Sequence, residues 1–323
     1  MKKINECEPL EEVTLVVRLS DVNIKKTTTN VDYASMIAFD GETKIEAKMW
    51  NFTDELREKL VSGEVYIASG RMKNYQGKLQ FNITDIRKVE EDDDVNLDAF
   101  YERAKLSQNE LSIKINSYFK KINNNILKTI TSKLLNKYMN DYFLYPAAVT
   151  MHHNYYSGLA YHTYSMLKLS DAYLEMYPFL NRDLVYAGII LHDLGKLIEL
   201  SGPKGTDYTK EGKLLGHISI GANEVYVTAY NLGFEKTEEV VNLMHIILSH
   251  HGELEFGSPK EPLTAEAELV HLLDFSDSRM ASLEGEIGKT KPGEYTQPLS
   301  AFERKNFYVP SLGNNGNNKN DNF

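Results

Sequence analysis

ILHDLGK, residues 190–196, sets an imidazole beside a carboxylate, His192 and Asp193, within an apolar run that predicts a helix over 182–199. Working outward from this pair, apolar residues at helical spacing predict further helices over 159–176, 215–232, 236–250 and 264–283, separated by Gly, Pro or polar breaks. Each carries a histidine or an aspartate: His162, His217, His250 with adjacent His251, and Asp274. Inward-facing ligands from different helices of a bundle can converge on one point, so their separation in sequence is no obstacle to a shared site. The C-terminal half therefore reads as an all-α bundle built around a metal centre.

The donor types narrow the ion. A single cysteine, Cys7, excludes an internal disulfide and a thiolate-rich cage, which leaves histidine and carboxylate as ligands. That mixture suits Mn, Fe, Co, Ni or Zn better than Mg or Ca, with manganese or iron leading. The candidates His162, His192, Asp193, His217, His250 and Asp274, with His251 as an alternative to His250, outnumber the ligands of one ion in an open site. A two-metal centre with Asp193 as the bridging carboxylate follows, of the kind that clamps a phosphodiester and activates a water. Asp277 competes with Asp274. His245 and His271 read as core histidines, His271 also as an outer partner of the ligands. Arg279, one turn beyond Asp274, is a candidate phosphate clamp because guanidinium binds oxyanions in a bidentate manner. His152 and His153 are candidates for lining the phosphate path.

Upstream, residues 12–90 read as five short alternating strands: VTLVVRLSDVNI, VDYASMIAFDG, TKIEAKMWNF, EVYIASGRMKNY and KLQFNITDIRKV. One helix, FTDELREKL, sits between the third and fourth, with Thr53 as N-cap and Gly63 past its end. That order is the order of an OB barrel. Of its aromatic residues, Phe39 and Trp50 are assigned to the core, whereas Tyr75, flanked by Lys73 and Lys78 in a polar turn, is the candidate for stacking on unpaired bases. The 12–90 segment holds 12 basic and 12 acidic residues, so the net charge of −10 lies elsewhere and argues against binding nucleic acid through bulk electrostatics alone. The acidic run EEDDD at 90–94 marks a boundary, after which a helix is expected over 107–138.

The expected organisation of the 323 residues is α+β and multidomain: residues 1–90 an OB-fold barrel, 91–140 an acidic linker with connecting helices, 141–300 the helical domain, and 301–323 a tail with a disordered end. No leader and no spanning segment is evident, which gives the expectation of a cytoplasmic protein without membrane contact.

The segments AYHTYSML, ILHDLGK, GHISIG, LSHHGE and HLLDFSDSRM occur in the order of the motifs of the HD phosphohydrolase superfamily, which they resemble. The resemblance implies that His162, His192, Asp193 and Asp274 form the basic metal set. It further implies that His217 and His250 serve a second ion and that Lys196 contacts a substrate phosphate. With the upstream barrel and the lead-in AAVTMHHNYYSGLAYHT, the chain resembles YhaM-type exoribonucleases over nearly its whole length. Implied by that likeness is a manganese-dependent 3′→5′ exonuclease of single-stranded RNA, acting also on single-stranded DNA and forming a homo-oligomer. Two other readings stand beside it: an HD-type nucleotide or cyclic-dinucleotide phosphohydrolase, and a non-catalytic single-strand-binding adaptor.

Overall fold

The computed structural model describes residues 2–312 other than 51, 54–55, 58–59, 76, 102, 149–154, 204–206 and 255–256. Five strands, β1 (Glu12–Lys26), β2 (Asp32–Phe39), β3 (Lys44–Met49), β4 (Val65–Tyr75) and β5 (Lys78–Lys88), close into a barrel in the order β1-β2-β3-β5-β4. All pairings are antiparallel except β3 with β5, which is parallel and shuts the barrel. Alternation puts Leu15, Val17 and Leu19 of β1, Met36 of β2, Met72 of β4 and Phe81 of β5 inside. A register shift between Ser20 and Asn23 lets the long β1 serve both β2 and β4. In the expected helix after β3, Leu56 and Arg57 are helical and Leu60 N donates to Leu56 O at 2.9 Å, with Gly63 at φ 88° beyond it.

The acidic run at 90–94 folds rather than dangles. Arg87 binds both oxygens of Asp93 at 2.7 and 2.6 Å, which secures a 3-10 turn over Glu91–Asp93 against the end of β5. Beyond it, Phe100 and Tyr101 bury against Val16 and Val65 on the outside of the barrel.

The helices follow in order: α1 (Gln108–Lys120), α2 (Asn125–Lys137), α3 (Met139–Tyr142), α4 (Gly158–Met176), α5 (Arg182–Leu191), α6 (Lys196–Glu199), α7 (Lys210–Leu232), α8 (Glu238–Ser249) and α9 (Ala265–Ile287). The single helix expected over 107–138 is two, because Asn124 caps α2 by accepting from Ile126 N and Leu127 N, and Asp183 holds the amides of Asn123 and Asn124 at 2.7 Å. The helix expected over 182–199 likewise breaks after Leu191, and the turn 192–195 carries the His–Asp pair. Leu111, Ile130, Leu167, Ile189, Val225, Leu243 and Val270 from seven helices share one apolar core. Residues 293–309 return as a hairpin, with Gly293 N donating to Val309 O at 2.7 Å and Tyr295 bridged to Tyr308; the boundary expected at residue 300 falls inside it.

No helix among the described residues is long and apolar enough to cross a membrane.

Barrel closure depends on the approach of β4 to β5 at Gly70, where a Cβ would lie 2.1 Å from Asn82 O and 2.8 Å from Ile83 Cα. Gly70→Ala is expected to destabilise the barrel by about 1–3 kcal/mol. Urea unfolding followed by fluorescence of Trp50, which lies in the barrel half, measures this; an unchanged midpoint would contradict the close approach.

Candidate metal centre

The turn after α5 brings His192 and Asp193 to the middle of the bundle, where they are 0% and 3% exposed. The turn packs tightly: a Cβ on Gly195 would lie 2.0 Å from His217 O, so only glycine lets α6 and the start of α7 close this far. α4 supplies His162, α7 supplies His217 just after its kink at Gly216, the end of α8 supplies His250 and His251, and α9 supplies Asp274.

Four of these imidazoles are oriented in the same way. His192 Nδ1 donates to Ile189 O at 2.8 Å and His250 Nδ1 to Ile247 O at 2.7 Å. His162 Nδ1 faces Asp277 Oδ2 at 2.7 Å, and His217 Nδ1 faces Glu199 Oε1 at 3.2 Å. A carbonyl only accepts, so the Nδ1 facing one must carry the hydrogen, and the Nε2 lone pair of the neutral ring is left for a cation. The Nε2 atoms do converge. His162 Nε2 lies 3.3 Å from His192 Nε2 and 3.1 Å from Asp274 Oδ1. Asp193 Oδ2 is 3.3 Å from His192 Nε2, while its Oδ1 is 3.5 Å from His217 Nε2 and 3.6 Å from His250 Nε2.

Asp193 Oδ1, His217 Nε2 and His250 Nε2 are buried without a hydrogen-bond partner. Three orphaned polar atoms facing one another in a bundle core are destabilising by themselves, and a cation satisfies all three. Two groups, His162 with His192 and Asp193, and His217 with His250 and His251, each place their ligand atoms within 4.8 Å of one another. The donor set thus fits the transition metals expected from sequence. Both His250 and His251 stand at the second group, and the expected choice between them is not forced by position.

The electrostatics match. Burial lowers His250 and His217, and burial together with neighbouring His250 takes His251 down to about 4, so these rings are neutral and ready to ligate. Burial also works against charge on His162, but hydrogen bonds and charge from Asp274 and Asp277 outweigh it and raise this ring to about 10 in the metal-free chain. Asp193, despite burial, is held well below the usual carboxylate range by Lys196, whose Nζ is 2.7 Å away, and by the histidines.

Sequence reasoning missed Glu199, which accepts from both the ring and the backbone N–H of His217. Its signal was a lone carboxylate in the apolar stretch LIEL, only 8% exposed in the fold. Asp277, weighed as a rival ligand, instead touches the far side of His162, and the Ser165 hydroxyl donates to its other oxygen. His245 Nε2 accepts from Leu263 N at 2.9 Å and takes no part, while His271 Nδ1 donates to His250 O at 3.0 Å. His152 and His153 lie outside the described residues.

The centre forms the floor of a cavity of ≈ 590 Å³. Lys196 and Arg279 stand in its wall with Tyr208 and Phe275. The guanidinium of Arg279 lies over two rings, 4.7 Å from the centroid of Phe275 and 4.1 Å from that of Phe302.

On the barrel, Trp50 is 41% exposed, a correction to its assignment to the core, whereas Phe39 is buried as expected. Ala34 pairs with Met49 and both point inward, so Tyr33 and Trp50, one step along, point out and stack at 4.7 Å. Lys48 Nζ lies 5.6 Å from the Trp50 ring and 5.2 Å from that of Tyr75, itself 55% exposed. Tyr75, Lys48, Lys44 and Lys78 line a second cavity of ≈ 800 Å³, and Lys73 is exposed two residues before Tyr75.

Comparison with known proteins agrees with this division. Residues 13–89 match the family model described as an OB-fold nucleic acid binding domain, and residues 159–277 match the model of the HD domain. Among solved structures, the chain is similar to the protein PriB from Ralstonia solanacearum (16% identity, 24% of this chain and 97% of that one, TM-score 0.23). It is also similar to the second OB-fold domain of replication protein A from Methanococcus maripaludis (18%, 28% and 95%, TM-score 0.24). A third likeness is to Rim1, a mitochondrial single-stranded DNA binding protein of S. cerevisiae (16%, 25% and 97%, TM-score 0.23). Each of these likenesses covers about a quarter of the chain. The chain is thus built of an N-terminal five-stranded OB-fold barrel followed by a helical HD domain.

Proposed function

We propose that this protein is a metal-dependent 3′→5′ exoribonuclease that hydrolyses phosphodiester bonds of single-stranded RNA, with single-stranded DNA as a second substrate. The observation that carries the reading is the pair of ligand groups joined by Asp193, whose two oxygens face different groups on the floor of one cavity. His162, His192 and Asp274 would hold one divalent cation, His217 and His250 or His251 the other, with Asp193 between them. Manganese suits this imidazole and carboxylate set, and iron or cobalt would be accepted by the same donors. When bound, two such cations would supply a water of lowered pKa and would offset charge on the attacking and leaving oxygens.

The protein's own groups do the rest. Asp277 and Glu199 fix the ring orientation of His162 and His217. Lys196 is 16% exposed at its side chain and faces the cavity, where it can meet a phosphate oxygen while keeping its contact with Asp193. Arg279 offers a second cationic contact. On the barrel, Tyr33, Trp50 and Tyr75 with Lys48, Lys73, Lys78 and Lys44 offer faces for bases and charges for phosphates, which suits capture of an unpaired strand without sequence preference. Entry from the 3′ end is taken from the resemblance to YhaM-type enzymes. Homo-oligomer formation and a cytoplasmic location are proposed on the same ground.

The direct test is a time course on 5′-labelled single-stranded RNA with manganese. Successive shortening of the labelled strand is expected, and early release of the label as a mononucleotide would reverse the polarity. Efficient turnover of free nucleotides with intact oligonucleotides would favour the nucleotide phosphohydrolase instead.

Asp193→Ala is expected to reduce hydrolysis to background while the strand still binds; undiminished turnover would remove Asp193 from the centre. Trp50→Ala should weaken binding of a long strand by about 5- to 100-fold, the worth of one stacked base. An equal loss for a dinucleotide would show that the barrel does not do the capturing.

Metal loading carries its own proton signature. His162 is raised from 6.5 to about 10 in the metal-free chain, so its contribution to folding is complete below pH 6.5 and is lost as pH rises through about 10. A cation at Nε2 must displace that proton, and manganese binding near pH 8 should release roughly one proton. Calorimetry in two buffers of different ionisation heat measures it, and no release would mean that His162 is not a ligand.

A further inference from the structure

The C-terminal hairpin, residues 293–309, forms part of the wall of the cavity over the candidate metal centre through Ser300, Ala301 and Glu303. It is internally organised: Thr296 is 2% exposed, accepts from Phe307 N at 3.0 Å through its hydroxyl, and accepts from Asn306 Nδ2 at 2.8 Å through its carbonyl. Phe302, 7% exposed, packs edge-on against Phe307 with centroids 4.7 Å apart. The next two residues, Glu303 and Arg304, adopt φ of 53° and 62°, a left-handed pair without glycine that persists only where surrounding contacts hold it.

What this turn presents is the ring of Phe302, whose centroid lies 4.1 Å from the guanidinium carbon of Arg279, with that of Phe275 4.7 Å away. Among the described residues no carboxylate pairs with Arg279, so its guanidinium is held by the two rings and its N–H groups remain available to an oxyanion. A fixed guanidinium in the wall of a cavity that also holds Lys196 matches a phosphate oxygen pair.

We infer that the hairpin is a working wall of the substrate cavity and that Phe302 is a positioning residue, which holds Arg279 to receive a phosphate of the bound strand. For its substrate the inference rests on the nuclease reading above.

The test uses the full chain and two readouts. The first is binding of a 5′-phosphorylated dinucleotide, too short to need the barrel, by calorimetry in EDTA, where no metal-dependent hydrolysis proceeds. The second is the KM and kcat for hydrolysis of that dinucleotide with manganese. Phe302→Leu keeps an apolar side chain but removes the ring, and Phe302→Tyr keeps the ring. Phe302→Leu is expected to raise both Kd and KM about tenfold with kcat within about twofold, and Phe302→Tyr to restore them. In the Arg279→Ala background, Phe302→Leu should cost nothing more, since both act through one contact. An unchanged Kd in Phe302→Leu, or losses that add to those of Arg279→Ala, would overturn the positioning role. A wild-type chain that binds the dinucleotide but cuts nothing with manganese would overturn the nuclease reading alone, because the Kd comparison still decides the role of Phe302.

Discussion

A carboxylate sealed inside a helical bundle is the constraint around which this protein is arranged. Asp193 is 3% exposed, and an isolated charge at that depth would be expelled or neutralised. It stays ionised chiefly because Lys196 Nζ stands 2.7 Å away, and four imidazoles bring Nε2 within 4.0 Å of it. Those imidazoles in turn are held from behind by carbonyls and by Asp277 and Glu199. Helices α4, α7, α8 and α9 therefore each deliver both an apolar face to the common core and a donor to the centre. Carboxylate oxygens and Nε2 lone pairs converge there without satisfying one another, which is why the His–Asp turn cannot be treated as decoration on a fold stabilised elsewhere.

The features legible from sequence were those with a strong local signature. The alternation of VTLVVRLS and its partners set the barrel strands to within three residues, and the ligand-bearing helices were visible from apolar periodicity. The breaks were harder. Nothing in the run 107–138 interrupts helical periodicity strongly, and the helix ends at Lys120 because Asn124 and a residue from another helix, Asp183, capture the amides there. Such a cap is formed partly by tertiary contact and has no complete local signal. The break after Leu191 is similar, since the turn is fixed by packing of Gly195 on His217.

Trp50 shows a different failure, one of weighting. Its size argued for the core, but Ile45, Ala47 and Met49 occupy the inward positions of β3, so parity alone sends Trp50 outward. Once out, it finds Tyr33 across the pair and Lys48 above, and a patch suited to bases replaces a supposed core residue. Glu199 was missed, and Asp277 was weighed only as a rival ligand, for a related reason: the groups that orient a ligand are recognised by what they touch, and sequence spacing does not report contact.

Charge explains why a barrel and a metal centre belong on one chain. The 12–90 segment is electrically balanced, so the whole net charge of −10 is carried by the rest of the protein. A polyanionic strand approaching the helical half meets net repulsion at distances below about 8 Å in physiological salt, and longer-range steering is screened away. Attraction has to come from contact: lysines beside exposed rings on the barrel, and Lys196 and Arg279 at the cavity. Stacking on rings is indifferent to that net charge and nearly indifferent to base identity. On the proposed reading, the barrel would thus hold a strand that the acidic bundle would otherwise turn away, and cations at the centre would offset charge only where a phosphodiester came to lie.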